Sequence, residues 1–239
     1  MDNGMPPAGF CIKNGLASLD LVRVARQEAA VLAGCKDMAE LTDDLCSRAV
    51  RIGALERHFP RTPGLANVVD AAIPFARELI GTDSCCFLGS SLTIMGSSYS
   101  YTGDWHRDFS AVPSVFRTNA AKSVQVLLAL EEDSCLELLP GSQMGTGTSS
   151  PAMCFGFKAT VPIGAGLFFN WKLLHRGQKL PGRNRISIFA LFACKSAARE
   201  FAPALALPLL RGRLTDGGDA CLPKNLRAAY RNFMEDISR

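Results

Sequence analysis

The chain has 239 residues, a length that single all-β barrels and sandwiches routinely occupy, and it is 48% hydrophobic and 20% charged, with 14 Phe against 2 Trp and 3 Tyr. That balance excludes intrinsic disorder and predicts one domain, 1–239, with a substantial packed core. Net charge is +4 from 26 basic and 22 acidic residues, and the basic residues are scattered, which argues against a nucleic-acid partner and mildly favours anionic small molecules.

In chain order, Gly9 to Asn14 reads as a short strand, and Ser18 as the cap of a helix carrying Leu19, Val22, Ala25, Ala29 and Leu32. Helical pattern recurs over Met38 to Ala49 and over Leu65 to Ile80, so 1–84 is expected to be mainly helical. From Cys85 the texture changes to short β-branched and aromatic runs, Cys86 to Met95, Ser123 to Leu130 and Arg185 to Ala193 among them, broken by Gly, Pro, Ser and Asp. About seven or eight short strands over 85–195 make up the number that a closed barrel or jelly roll needs. The remainder, 196–239, reads as a tail ending in a helix from Pro223 or Lys224 to Ile237 that docks back on the barrel.

Residues 1–9 lack the basic stretch and apolar core of a signal peptide, and no later run is apolar for long enough to span a bilayer, so a cytoplasmic protein without a membrane partner is expected. Nine cysteines form no CxxC pair, and most sit among apolar neighbours, which predicts buried free thiols.

Only three histidines occur, His58, His106 and His175. His106 and Asp108 lie two apart in a strand-like segment, Gly103-Asp-Trp-His-Arg-Asp-Phe109, and residues i and i+2 of a strand share a face. Two imidazoles and a carboxylate on one side of a metal leave the opposite positions open for substrates, as Fe(II) oxygen chemistry requires, and His175 is the third candidate ligand. Arg185, ten residues beyond His175, opens an apolar strand where a cation needs an explanation; its planar fork suits the far carboxylate of a small diacid. Lys179 and Arg183 compete for that role, but their Gly, Pro and Asn neighbours predict exposed loops. Gln125 on the strand Ser123 to Leu130 is a candidate cosubstrate contact. Phe109 and Trp171 are candidates for the substrate pocket, and with Phe168 and Phe169 for an apolar wall. His58 has no partner and reads as surface.

The chain resembles the phytanoyl-CoA dioxygenase family of Fe(II)/2-oxoglutarate-dependent oxygenases over most of residues 9 to 193. The resemblance runs through Gly9-Phe-Cys-Ile-Lys-Asn14, Trp105-His-Arg-Asp108, Cys135-Leu-Glu-Leu-Leu-Pro-Gly-Ser142 and Gly166-Leu-Phe-Phe-Asn170, and on to His175 and Arg185. It implies a mainly β fold with flanking helices around a double-stranded β-helix, a jelly-roll core of cupin type. It also implies Fe(II) on His106, Asp108 and His175, and 2-oxoglutarate with its 5-carboxylate on Arg185. The implied reaction is oxidation of a small organic molecule by O2, coupled to decarboxylation of 2-oxoglutarate to succinate, with specialised-metabolite biosynthesis as a candidate setting. Asp108 argues against halogenation, for which the carboxylate is replaced by a small residue. Two positions depart from the family pattern: Gly177 stands where a hydroxyl is common, and Gln143 stands where a histidine is usual. Gly177 leaves a second reading, a non-catalytic metal- or ligand-binding protein of the same fold. Neither the substrate nor the oligomeric state is specified by the sequence.

Overall fold

A computed structural model describes residues 4–36, 38, 40, 48–108, 122–144, 156–199 and 221–237. Ten strands and three long helices are formed among them. The strands are β1 (Phe10–Lys13), β2 (Ala49–Gly53), β3 (Cys85–Met95), β4 (Tyr101–Thr102), β5 (Ser123–Ala129), β6 (Asp133–Leu138), β7 (Phe157–Val161), β8 (Gly166–Phe169), β9 (His175–Lys179) and β10 (Arg185–Cys194). The helices are α1 (Leu19–Leu32), α2 (Pro63–Ile80) and α3 (Lys224–Ile237).

Two antiparallel sheets face each other, a six-stranded sheet in the order β1-β8-β5-β10-β3-β2 and a four-stranded sheet in the order β4-β9-β6-β7. Side-chain alternation sorts the large sheet into two faces. Val126, Leu128, Phe168, Ile186, Ile188, Leu92 and Ile94 point outward into one core, shared with the helices. Leu127, Ala129, Leu167 and Phe169 point inward and meet Leu136, Leu138, Ala159 and Val161 of the small sheet. This second, apolar core closes one part of the barrel and leaves the rest of the interior to polar side chains.

The helices brace the outer face. Ser18 caps α1 by accepting from the Leu21 amide at 3.3 Å. The α2 N-terminus has no cap of its own from Thr62; instead the Glu28 carboxylate of α1 accepts from the Gly64 and Leu65 amides at 3.0 and 2.8 Å. Asp70 of α2 in turn accepts from the Leu226 amide at 2.6 Å at the start of α3, and Asn232 of α3 donates to the Cys85 carbonyl at 3.1 Å. The terminal helix therefore docks on the barrel through polar contacts as well as its apolar stripe.

One expectation fails. Ala49, assigned to a helix by its apolar spacing, begins β2, an edge strand whose residues pair with β3 from Ala49–Met95 to Gly53–Ser91. Edge position explains the miss: only Val50 and Ile52 pack against the core, too short a pattern to declare its period. Residues 41–47 lie outside the described residues. Among the described residues no helix is long and apolar enough to cross a membrane. The seven described cysteines are all free, five of them buried, with Cys221 exposed.

Candidate metal and active site

The segment around His106 is extended and joins β9 through the Gly103 amide, which donates to the Gly177 carbonyl at 2.8 Å, and an isolated bridge of His106 with His175, whose backbones exchange amide bonds of 2.9 and 3.0 Å. Arg107, between the two candidate ligands, points the other way and locks the segment in place. Its Nε donates to the Lys172 carbonyl at 2.8 Å and its Nη2 to the Ser142 carbonyl at 2.9 Å, in a nearly solvent-free position. Ser142 also accepts the Leu174 amide on its Oγ at 2.7 Å. The Pro140-Gly141-Ser142 turn is thus the common support of both histidines.

His106, Asp108 and His175 converge. Ligand-capable atoms of all three lie within 4.8 Å of one another, and each histidine Nε2 is 3.6 Å from an Asp108 oxygen. Each Nδ1 lies 2.9 Å from a backbone carbonyl, that of Asp104 for His106 and that of Leu173 for His175, so Nδ1 carries the proton and Nε2 presents its lone pair to the shared point. Burial pushes the His175 imidazole below its ordinary range, against the opposing charge of Asp108, which keeps that lone pair free. The ring of Phe169 stands edge-on to His175 at 5.3 Å. Two imidazole Nε2 atoms and one carboxylate around one point suit a divalent transition metal, with His106 the most exposed of the three.

A cavity of about 340 Å³ extends from these three residues and is also lined by Arg51, Thr93, Tyr101, Gln125, Gly177, Phe189 and Arg185. Arg185 is 3% exposed. Its Nε donates to Asp133 Oδ2 at 2.7 Å and its Nη1 to the Tyr101 hydroxyl at 3.2 Å, while its buried Nη2 has no partner. Burial by itself opposes the guanidinium charge, and the neighbouring Asp133 carboxylate more than restores it. Arg185 thus keeps one buried donor that no described group satisfies. Gln125 also reaches this cavity, and its buried Oε1 is unpartnered.

The other sequence candidates divide. Lys179, expected in an exposed loop, is 2% exposed on β9, with Nζ donating to the Tyr99 carbonyl at 2.8 Å. Arg183 is exposed as expected. Trp171, expected at the substrate pocket, is wholly buried in the outer core, as is Phe168; it lines neither of the two cavities at the site. Of the two phenylalanines of β8, alternation turns only Phe169 inward. Phe109 lies outside the described residues. His58 is half-buried in the turn between two short 3-10 helices rather than fully on the surface. Gln143 donates to the Pro7 carbonyl at 2.8 Å, a support for the N-terminal segment.

Three residues around Arg185 were not anticipated. Ser187, two positions beyond Arg185 on the same face of β10, has a fully buried Oγ with no partner; period-2 alternation would have found it. Asp133 and Tyr101 come from other strands, and nothing local in the sequence ties them to Arg185. A second cavity of about 370 Å³ shares Arg51, Asp108, Gln125 and Phe189 with the first and continues to Leu88, Gly89, Ser91 and Leu191. It opens where the β3–β10 register slips between Leu191 and Phe192, opposite Gly89 at φ +147°.

No family model matches the chain, and no curated protein matches it by sequence. Solved structures do match by fold. The epimerase SnoN, in complex with Fe3+, alpha-ketoglutarate and nogalamycin RO, shares 14% identity over 79% of this chain and 80% of its own, with a TM-score of 0.58. AviO1 from Streptomyces viridochromogenes Tue57 shares 16% over 77% and 89%, at 0.59. EctD from S. alaskensis, with 2-oxoglutarate and 5-hydroxyectoine, shares 18% over 81% and 75%, at 0.60. The fold is a double-stranded β-helix. At these identities the likeness establishes architecture, and the chemistry has to be argued from the side chains.

Proposed function

We propose that this protein, over 1–239 as one domain, is an Fe(II)/2-oxoglutarate-dependent oxygenase of a small organic molecule, similar to the phytanoyl-CoA dioxygenases, with His106, Asp108 and His175 as the iron ligands. The observation that carries the reading is the pairing of this ligand set with Arg185, a buried cation that lines the same cavity and whose Nη2 has no partner. The similar folds of SnoN and EctD, solved with alpha-ketoglutarate or 2-oxoglutarate, support it.

Arg185 would hold the distal carboxylate of 2-oxoglutarate with Ser187 beside it, and Gln125 Oε1 would accept from a ligand O–H or N–H. Iron bound with 2-oxoglutarate and O2 supplies the oxidising power, with succinate and carbon dioxide as coproducts. The chain's own part is orientation and exclusion of water. The Nδ1 bonds to the carbonyls of Asp104 and Leu173 hold the imidazoles in one tautomer, and Phe169 and Phe189 wall the site with apolar surface. The substrate is placed in the second cavity, whose lining of Leu88, Leu191, Phe189, Ser91 and Arg51 fits a compact molecule of mixed polarity. Its role is proposed to lie in specialised metabolism.

The non-catalytic alternative drew on Gly177, and the Tyr101 hydroxyl beside that glycine weakens it. The test is anaerobic titration of the purified protein with Fe(II) and then 2-oxoglutarate, followed by succinate release in air. Saturable binding of both with succinate formation, lost in His175→Ala, is expected. A protein that binds neither overturns the proposal, and one that binds both without turnover in any substrate screen favours the binding module.

A further inference from the structure

We propose that the phenol of Tyr101 supplies the hydroxyl that grips the distal carboxylate of the bound 2-oxo diacid, in the space that Gly177 leaves open; this rests on the reading of the site given above. Tyr101 lies on β4, paired with Lys179 of β9, so its ring reaches diagonally across to Gly177. A Cβ on Gly177 would stand 2.8 Å from Tyr101 Cζ and 2.9 Å from Cε2, and nearer still to the hydroxyl. A side chain at 177 and the phenol at 101 therefore compete for one volume, and only one of them can place an oxygen there.

The hydrogen-bond inventory gives that oxygen a task. The Arg185 guanidinium spends Nε on Asp133 and Nη1 on the Tyr101 oxygen, leaving Nη2 free. Because the phenol oxygen accepts from Nη1, its own proton is left to donate, and no acceptor for it is found among the described residues. Arg185 and Tyr101, both lining one cavity, thus each keep a donor in reserve, Nη2 and the phenol O–H. Lys179 holds the backbone carbonyl of Tyr99 instead of a ligand, and so fixes the strand that carries Tyr101.

The experiment is calorimetric titration of the anaerobic Fe(II) or Mn(II) protein with 2-oxoglutarate and with 2-oxopentanoate, which has the same chain length but a methyl in place of the distal carboxylate. Tyr101→Phe is expected to weaken 2-oxoglutarate about tenfold or more, as for a lost hydrogen bond to a charged group, and to leave 2-oxopentanoate unchanged. Gly177→Ser alone should weaken 2-oxoglutarate by displacing the ring. Combined with Tyr101→Ala, the same serine should bind it more tightly than Tyr101→Ala alone, having brought the hydroxyl back from the other strand. Equal losses for both ligands, or no loss with 2-oxoglutarate, would overturn the assignment of Tyr101 while leaving the site intact. A wild-type protein that does not bind 2-oxoglutarate would overturn the site itself.

Discussion

Arg185 and Asp133 form an ion pair at 2.7 Å in which both side chains are almost wholly removed from solvent. Asp133 Oδ1 also accepts the Cys135 amide at 2.8 Å, so the carboxylate anchors the irregular start of β6 as well as the cation. Breaking a buried pair from one side strands the other charge, and Asp133→Ala is expected to cost about 3–5 kcal/mol. Urea denaturation measures it. Asp133→Asn, which keeps an acceptor for the Cys135 amide but removes the charge, should still lose most of that stability, and a near-neutral Asp133→Asn would contradict the stranded-charge account.

Arg107 predicts an effect on metal affinity without touching the metal. Its guanidinium ties the His106–Asp108 segment to the carbonyls of Lys172 and Ser142, just ahead of His175. Arg107→Ala should loosen the approach of His106 to His175 and weaken Fe(II) binding by about tenfold, the scale seen when groups that orient ligands are removed. Arg107→Lys should not rescue it, because an ammonium lacks the planar fork that spans two carbonyls. Anaerobic metal titration of both variants decides this, and unchanged affinity in Arg107→Ala would exclude the clamp.

Phe168 and Phe169 are adjacent in sequence and sit in different cores. Truncating either to alanine should cost about 3–5 kcal/mol by cavity formation. Only Phe169→Ala should also weaken metal binding, because its ring packs edge-on against His175. Thermal melts paired with metal titration separate the two effects, and a loss of metal affinity in Phe168→Ala would contradict the division of faces.

Glu56 predicts a pH dependence of stability. It is buried, and its carboxylate accepts from the Ser90 amide and hydroxyl, both at 3.0 Å. Burial raises its pKa above the ordinary carboxylate value, outweighing those bonds. A folded-state pKa above the unfolded one means that the contribution of Glu56 to stability is present below the unfolded value and is lost as pH rises through the folded value. Glu56→Gln, which cannot ionise, should therefore gain in melting temperature relative to wild type as pH is raised from 5 to 8. A difference that stays flat across that range would contradict the raised pKa.

The elements with a long, regular pattern were legible in the sequence. Helices α2 and α3 each bury one stripe at helical spacing, and the strands β3 and β10 are long, nearly continuous buried runs. β2 was not legible, since two inward-packing residues fit either period. The three candidate metal ligands stood out because histidine is scarce and HxD places two groups on one side. Trp171 was misplaced because an aromatic near a ligand reads the same whether it faces the cavity or the helical layer.

By itself the sequence determined the mainly β class, carried by local runs and turn residues, and three residues with metal-binding chemistry, conspicuous through the local HxD pair and the scarcity of histidine. Only the tertiary structure decided what surrounds Arg185. Asp133 lies across the barrel on β6, Tyr101 arrives from β4, and Gly177 opens the space between them. These residues are far apart in the chain, and only strand pairing and register bring their side chains to one cavity.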